Sequence, residues 1–342
     1  MKIGSPLQQR SCQSSSLLTP KLIVRGLLGT LLGLSCAAIV SYFLGVRPDE
    51  VVLYLANIPA WAVIACAASS FVVLALQSLR WHAVMNPLLG LRYSQAYRAQ
   101  VIGVLFNALI PARGGDLLRV QYLGRRTGKS RATILGTEIV DRWLDWWGWI
   151  PVILLLAVTD DLPRWAFVAV IIFGGALFSW AVVMVMLTRR GYRPKESARF
   201  GKLLGKLQSG IQAFRTNRIW LIAFLIAPLP WLWEASVLSN VSPAFGIHIN
   251  LAQAFCVLVG FNLATVVPSP GSVGTVEAGG TAALVFFGAD QSRALAFMFI
   301  YHFAQLLPAI ITGVAILVAE GENLFGATLL ENEVIVEGST AI

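Results

Sequence analysis

Charge is scarce in this 342-residue chain. Asp, Glu, Lys and Arg supply only 13% of it, while 57% is hydrophobic. Soluble domains carry about a quarter charged residues, so a water-soluble globular protein is excluded. Histidine is scarcer still: His82, His248 and His302 are too scattered to form a histidine metal site. The four cysteines (12, 36, 66 and 256) show no CxxC or Cys/His spacing, and three lie inside apolar runs. They indicate neither a disulfide framework nor a zinc site, and they read as small buried apolar residues. No complete nucleotide-binding loop, Gly-x-Ser-x-Gly turn or Ser/His/Asp set is present, and no pattern calls for an organic cofactor.

Repeated apolar runs of about 20 residues make this a polytopic, all-α membrane protein. The net charge of +9 does not indicate a nucleic-acid partner, because the basic residues sit in short loops between apolar runs. Residues 1–21 are polar and Ser/Gln-rich and read as a disordered cytoplasmic tail. Six spans are expected at about 23–45, 56–79, 134–158, 165–187, 219–239 and 293–318. Two further apolar segments, about 99–122 and 251–288, are broken by Pro and Gly. Residues 320–342 form an acidic tail carrying Glu320, Glu322, Glu331, Glu333 and Glu337.

Loop charge sets the orientation. The N-terminus, 80–131 and the strongly basic 188–218 belong inside, and 46–52, 159–164 and 240–250 belong outside. These assignments agree only if 99–122 enters and leaves on the inside and 251–288 on the outside. Both would be re-entrant hairpins facing each other in the interior, since irregular backbone at membrane depth must be buried or line a cavity. The alternative for 251–288 is two short spans. With two hairpins, the halves 22–158 and 165–319 form an inverted repeat within a transmembrane domain 22–319. Gly/Pro-interrupted segments at matching places in two halves point to a transporter's binding site.

The broken segments carry the chemistry. The first reads Asn107-x3-Pro111-x-Arg113-Gly114-Gly115-Asp116-x2-Arg119. Arg113 and Arg119 beside two glycines at a helix start suit a phosphate, or else they anchor the interface. Asp116 can cap the helix and pair with Arg119. In the third span, Glu138, Asp141, Arg142 and Asp145 fall on one helical face, with Glu138 and Arg142 at pairing distance. They form either a polar wall for a headgroup or a self-neutralising cluster. The second segment carries Asn262, then Pro268, Pro270, Gly271 and Gly274, then Glu277. An intramembrane Glu is a functional candidate by default, here for proton coupling, with helix capping as the alternative. Glu234, Tyr301, His302 and Gln305 are weaker candidates. Asn107 and Asn262 are expected to tie the broken backbones to neighbouring helices. The tryptophans 143, 146, 147 and 149 are expected to pack or anchor.

The order Arg80-Trp81, then the Asn107-to-Arg119 pattern, then Asp141-Arg142-x2-Asp145, then Pro268-x-Pro270-Gly271-x2-Gly274-x2-Glu277 resembles the flippase-like transmembrane domain of lysylphosphatidylglycerol synthases. The likeness covers about residues 20–320. It implies a stand-alone member of that family in a bacterial inner membrane. It also implies translocation of a charged-headgroup lipid or polyprenyl-phosphate-linked glycan, with Arg80 among the substrate-binding residues. The synthases' soluble aminoacyl-transferase domain has no counterpart in this sequence, so no enzymatic activity is expected. A membrane-embedded headgroup transferase and a non-transporting partner of a glycosyltransferase are the other readings.

Overall fold

The computed structural model describes residues 41–110, 113–150 and 219–320, with parts of 28–39 and 168–182. The N-terminal tail, most of the fourth span, the basic loop 188–218 and the acidic tail beyond Glu320 lie outside the described residues, as does Pro111.

The described fold is all-α. A short helix, α1 (Pro48–Ala56), precedes α2 (Ala60–Leu89). The first broken segment becomes α3 (Tyr93–Leu109) and α4 (Gly114–Thr127), followed by α5 (Arg131–Trp147). The second half contains α6 (Ile219–Ile226), α7 (Leu229–Val241), α8 (Leu251–Ala264), α9 (Thr275–Phe286) and α10 (Gln291–Glu320). Three described stretches are long and apolar enough to cross a membrane: Ala60–Leu89, Leu221–Phe245 and Gln291–Glu320.

Local chemistry sets most boundaries. Gly90 ends α2 in the left-handed conformation and donates its N–H to the Asn86 carbonyl. Its partner at the end of α4 is Gly128, which donates to Gly124. The α2 helix runs about ten residues past the expected end at 79, through Arg80-Trp81-His82 and Pro87. The connection between the span ending at 79 and the broken segment starting at about 99 therefore shrinks to residues 90–92, because Trp81, Met85 and Leu89 continue the apolar face and pack against α3 and α4. Asn250 starts α8 with a reciprocal cap, accepting from Gln253 N at 2.8 Å while Gln253 Oε1 accepts from Asn250 N at 3.0 Å.

Both broken segments are helix–turn–helix hairpins, with α3 packed on α4 and α8 on α9. The arms of the second hairpin have 14 and 12 residues, about 21 and 18 Å at 1.5 Å per residue. Neither reaches across a hydrocarbon core of about 30 Å, so 251–288 is a hairpin and not two spans. The two hairpins are held at opposite ends of α10. At the base of the first, Arg98 and Arg126 bind Glu320, the last residue of α10. The base of the second leads directly into the first turn of α10, where Arg293 packs under Gly246. The tips meet between these ends. A Cβ at Gly271 would lie 3.3 Å from the Ala108 carbonyl oxygen and 3.6 Å from Leu306, near the midpoint of α10.

Close backbone contact holds each hairpin shut. A Cβ on Gly115 would lie 2.1 Å from the Gly103 carbonyl oxygen, and one on Gly279 would lie 2.4 Å from the Gly260 carbonyl oxygen. Small residues permit such approach where lipid supplies no hydrophobic drive between helices. Gly115→Ala is therefore expected to lower stability by about 1–3 kcal/mol. Gly175→Ala, which would meet nothing within 4 Å among the described residues, lies in a helix, where Ala is favoured over Gly by about 1 kcal/mol, and should not lower stability. Thermal unfolding of the two variants in detergent checks the contrast.

Candidate functional site

Between α2, α4 and α5 lies a buried ionic cluster. Arg80 is 1% exposed and faces two carboxylates of α5. Its Nε donates to Asp141 Oδ1 at 2.8 Å and its Nη1 to Asp145 Oδ1 at 2.5 Å. Arg119, equally buried, pairs with Glu138 of α5 and donates to the Gln100 side-chain carbonyl of α3. Its guanidinium also lies over the Trp81 ring, 4.6 Å from the centroid. Arg142 bonds Glu138 at 2.9 Å, as the i,i+4 spacing requires, and reaches Asp116 of α4 at 3.0 Å. Asp116 also accepts from Asn107 Nδ2 at 3.1 Å, and Asn107 Oδ1 accepts from Gly115 N at 2.8 Å. Asn107 thus ties the two arms of its own hairpin together across the break. Asn262 does not act this way; it donates to Leu258 O in its own helix.

The α5 face is consequently both a self-neutralising cluster and a wall. Arg80, Arg119, Glu138 and Asp141 are sealed inside it, while Arg142 and Asp145 show one edge to a cavity. Arg113 and Arg119, grouped as one anion site on spacing alone, are separated. Arg119 points into the cluster, and Arg113 sits exposed at the hairpin tip.

The cavity lies where the tips meet and has a volume of about 250 Å³. One side carries Asn107, Arg113, Arg142 and Asp145, and the other carries Glu234, Asn262, Thr265 and the turn Pro268–Ser272. Arg113 has left-handed backbone angles (φ 55°, ψ 36°), which a non-glycine residue adopts at a cost. That geometry lets its Nη2 reach across to Thr265 Oγ1 of the other hairpin at 3.2 Å. Among the described residues no carboxylate lies within salt-bridge distance of Arg113. Glu234, on α7, likewise has no cationic partner among them.

Glu277 lies away from this cavity, fully buried. Its Oε2 accepts from Gly274 N at 2.7 Å, capping α9, and its Oε1 bonds His302 Nδ1 of α10 at 2.7 Å. The two hairpins match here. Asp116 and Glu277 are each the third residue of the returning helix, and each bonds a basic side chain on the following long helix, 26 residues later for Arg142 and 25 for His302. Sequence alone ranks His302 and Glu234 low because the partner of His302 lies 25 residues away and the cavity that Glu234 lines is assembled from distant segments. Gln77 and Gln100, which also line the cavity, carried no signal. Two of the tryptophans pack as expected: Trp147, the last residue of α5, against Phe224, and Trp149, just beyond the helix, against Trp231.

Broken hairpins meeting around a polar cavity, inside an all-α multi-pass membrane protein, define the class. Within it, residues 26–313 match the lysylphosphatidylglycerol synthase transmembrane region, and the chain belongs to that family. It is similar to a UPF0104 membrane protein of Methanothermobacter thermautotrophicus, 24% identical over 278 residues covering 72% of this chain and 82% of that protein. It is also similar to a UPF0104 membrane protein of Methanocaldococcus jannaschii, 21% identical over 229 residues covering 61% and 92%.

The geometry separates structural from accessible charge. Breaking a buried ion pair from one side costs about 3–5 kcal/mol, so Arg80→Gln should unfold far below the wild type. Arg113→Gln, which removes a single exposed hydrogen bond, should unfold close to it. Thermal melting of both variants in detergent reads the difference.

Proposed function

We propose that this protein moves a lipid with a charged headgroup, a phospholipid or a polyprenyl-phosphate-linked sugar, across the membrane through the space between the hairpin tips. The observation that carries this reading is Arg113, exposed and with no carboxylate within salt-bridge distance among the described residues, in a cavity where two broken helices meet. A guanidinium fork binds phosphate oxygens in pairs. Ionisable groups at membrane depth, facing a cavity, mark substrate pathways. The family's name, which joins this domain to a phospholipid synthase, and the opposed hairpins, which suit alternating access, support the same reading. The acyl or prenyl chains stay in the bilayer while the headgroup passes Arg113 and the edge of Arg142. Transport occurs without chemical conversion of the lipid, in an inner membrane with the N-terminus cytoplasmic.

The test is translocation in liposomes containing only this protein. Headgroup-labelled phospholipid and a short polyprenyl-phosphate sugar are scored by quenching from outside. A charge-assisted hydrogen bond contributes about 1.5–3 kcal/mol, so Arg113→Ala should slow movement about 10- to 100-fold. Arg47→Ala, which breaks an exposed pair with Glu50, should leave the rate unchanged. Wild-type translocation by a folded Arg113→Ala variant would overturn the assignment.

A further inference from the structure

A second cavity, of about 280 Å³, lies at the base of the first hairpin. It shares no lining residue with the cavity at the tips. Its walls come from the loop before α3 (Arg92), the first turns of α3 (Ser94, Gln95, Arg98), the end of α4 (Tyr122, Arg126) and the end of α10 (Glu320). Three guanidinium groups therefore surround one carboxylate.

That carboxylate shows what the pocket accepts. Glu320 takes Arg98 Nη1 and Tyr122 Oη at 2.6 Å each, and Arg126 Nη2 at 3.0 Å and Nε at 3.2 Å. Its side chain is 8% exposed, while Arg98 remains 53% exposed. Arg98 gives Glu320 only one nitrogen, and a guanidinium has five N–H donors. Arg92 makes no ion pair among the described residues. Among the described lining residues, one carboxylate thus faces three guanidinium groups beside open space.

The position matters as much as the charge. The pocket is at the end of α10, a 30-residue helix of about 45 Å, long enough to carry its end past a hydrocarbon core of about 30 Å. Basic pockets between membrane helices at this level hold anionic headgroups. We infer that the pocket of Arg92, Arg98 and Arg126 binds the phosphate of an anionic phospholipid at the membrane face, with Glu320 as an internal competitor. The inference does not rest on transport through the tip cavity. A bound lipid there would touch α3, α4 and α10 together, and would replace or supplement the Glu320 contact that holds the first hairpin to α10.

Lipid retention by the full chain in detergent, read by native mass spectrometry, tests this. Phosphatidylglycerol, phosphatidylcholine and inorganic phosphate are offered separately. All variants carry Arg113→Ala, so that lipid in the tip cavity does not contribute. Phosphatidylglycerol should be retained several-fold over phosphatidylcholine. Glu320→Gln should raise that retention several-fold, a gain that misfolding cannot produce. Arg92→Gln combined with Arg98→Gln should reduce it to the phosphatidylcholine level. Equal retention of the two lipids, unchanged retention in the double variant, or a fall in Glu320→Gln would overturn the site. Binding of inorganic phosphate without retention of phosphatidylglycerol would overturn the lipid assignment.

Discussion

A guanidinium group cannot be carried into a membrane interior without its counter-charge, and the first half of this fold is built around that constraint. Arg80 and Arg119 are sealed among Asp141, Asp145 and Glu138, so α2, α4 and α5 can pack only in the register that joins these charges. Removing one member leaves another stranded in a medium of low dielectric. The cluster therefore specifies geometry more than it adds stability. It also fixes the base on which the α3–α4 tip stands, because Asp116 and Arg142 connect the hairpin to the same network. Arg113, at that tip, is the arginine the network leaves out.

The second half solves the same problem with less charge. Glu277, fully buried, caps its own helix and is bonded by His302. Its position matches that of Asp116, the third residue of the returning helix, and the basic partner lies on the next long helix in both cases. The two hairpins enter from opposite ends of α10 and are closed by the same device, bare glycine backbone against bare glycine backbone. The match is one of placement rather than composition, with the first hairpin held by an ionic network and the second by one hydrogen-bonded pair and apolar packing.

What could be read from the sequence was local. Proline and glycine within apolar runs gave the two hairpins, loop charge gave their opposed entry, and the i,i+4 spacing gave the Glu138–Arg142 pair. The capping role of Glu277 was visible as one of two alternatives. What could not be read was distant in the chain. Arg80 meets its carboxylates 61 and 65 residues away. Nothing in its own surroundings distinguishes it from an interfacial anchor. Arg113 and Arg119 look equivalent by spacing, yet the left-handed turn at Arg113 sends one outward while the helix turns the other into the cluster. Glu320 read as the first residue of a polar tail, whereas the fold uses it as the last residue of a span.

The α10 helix touches both hairpins, but not with the same residues. Its first half carries Met298 against Gly280 and His302 against Glu277, and its second half carries Gly313 against Leu105 and Glu320 against the arginines of the first hairpin. Pro308 lies between the two sets. It has no N–H to donate to the carbonyl of Ala304, so the helix lacks one rung there. A rod clamped at both ends to different bodies bends where a rung is missing. The two hairpins are thus joined by a lever whose pivot sits next to the point where their tips touch, so tilting one against the other would open or close the space between them while both clamps hold.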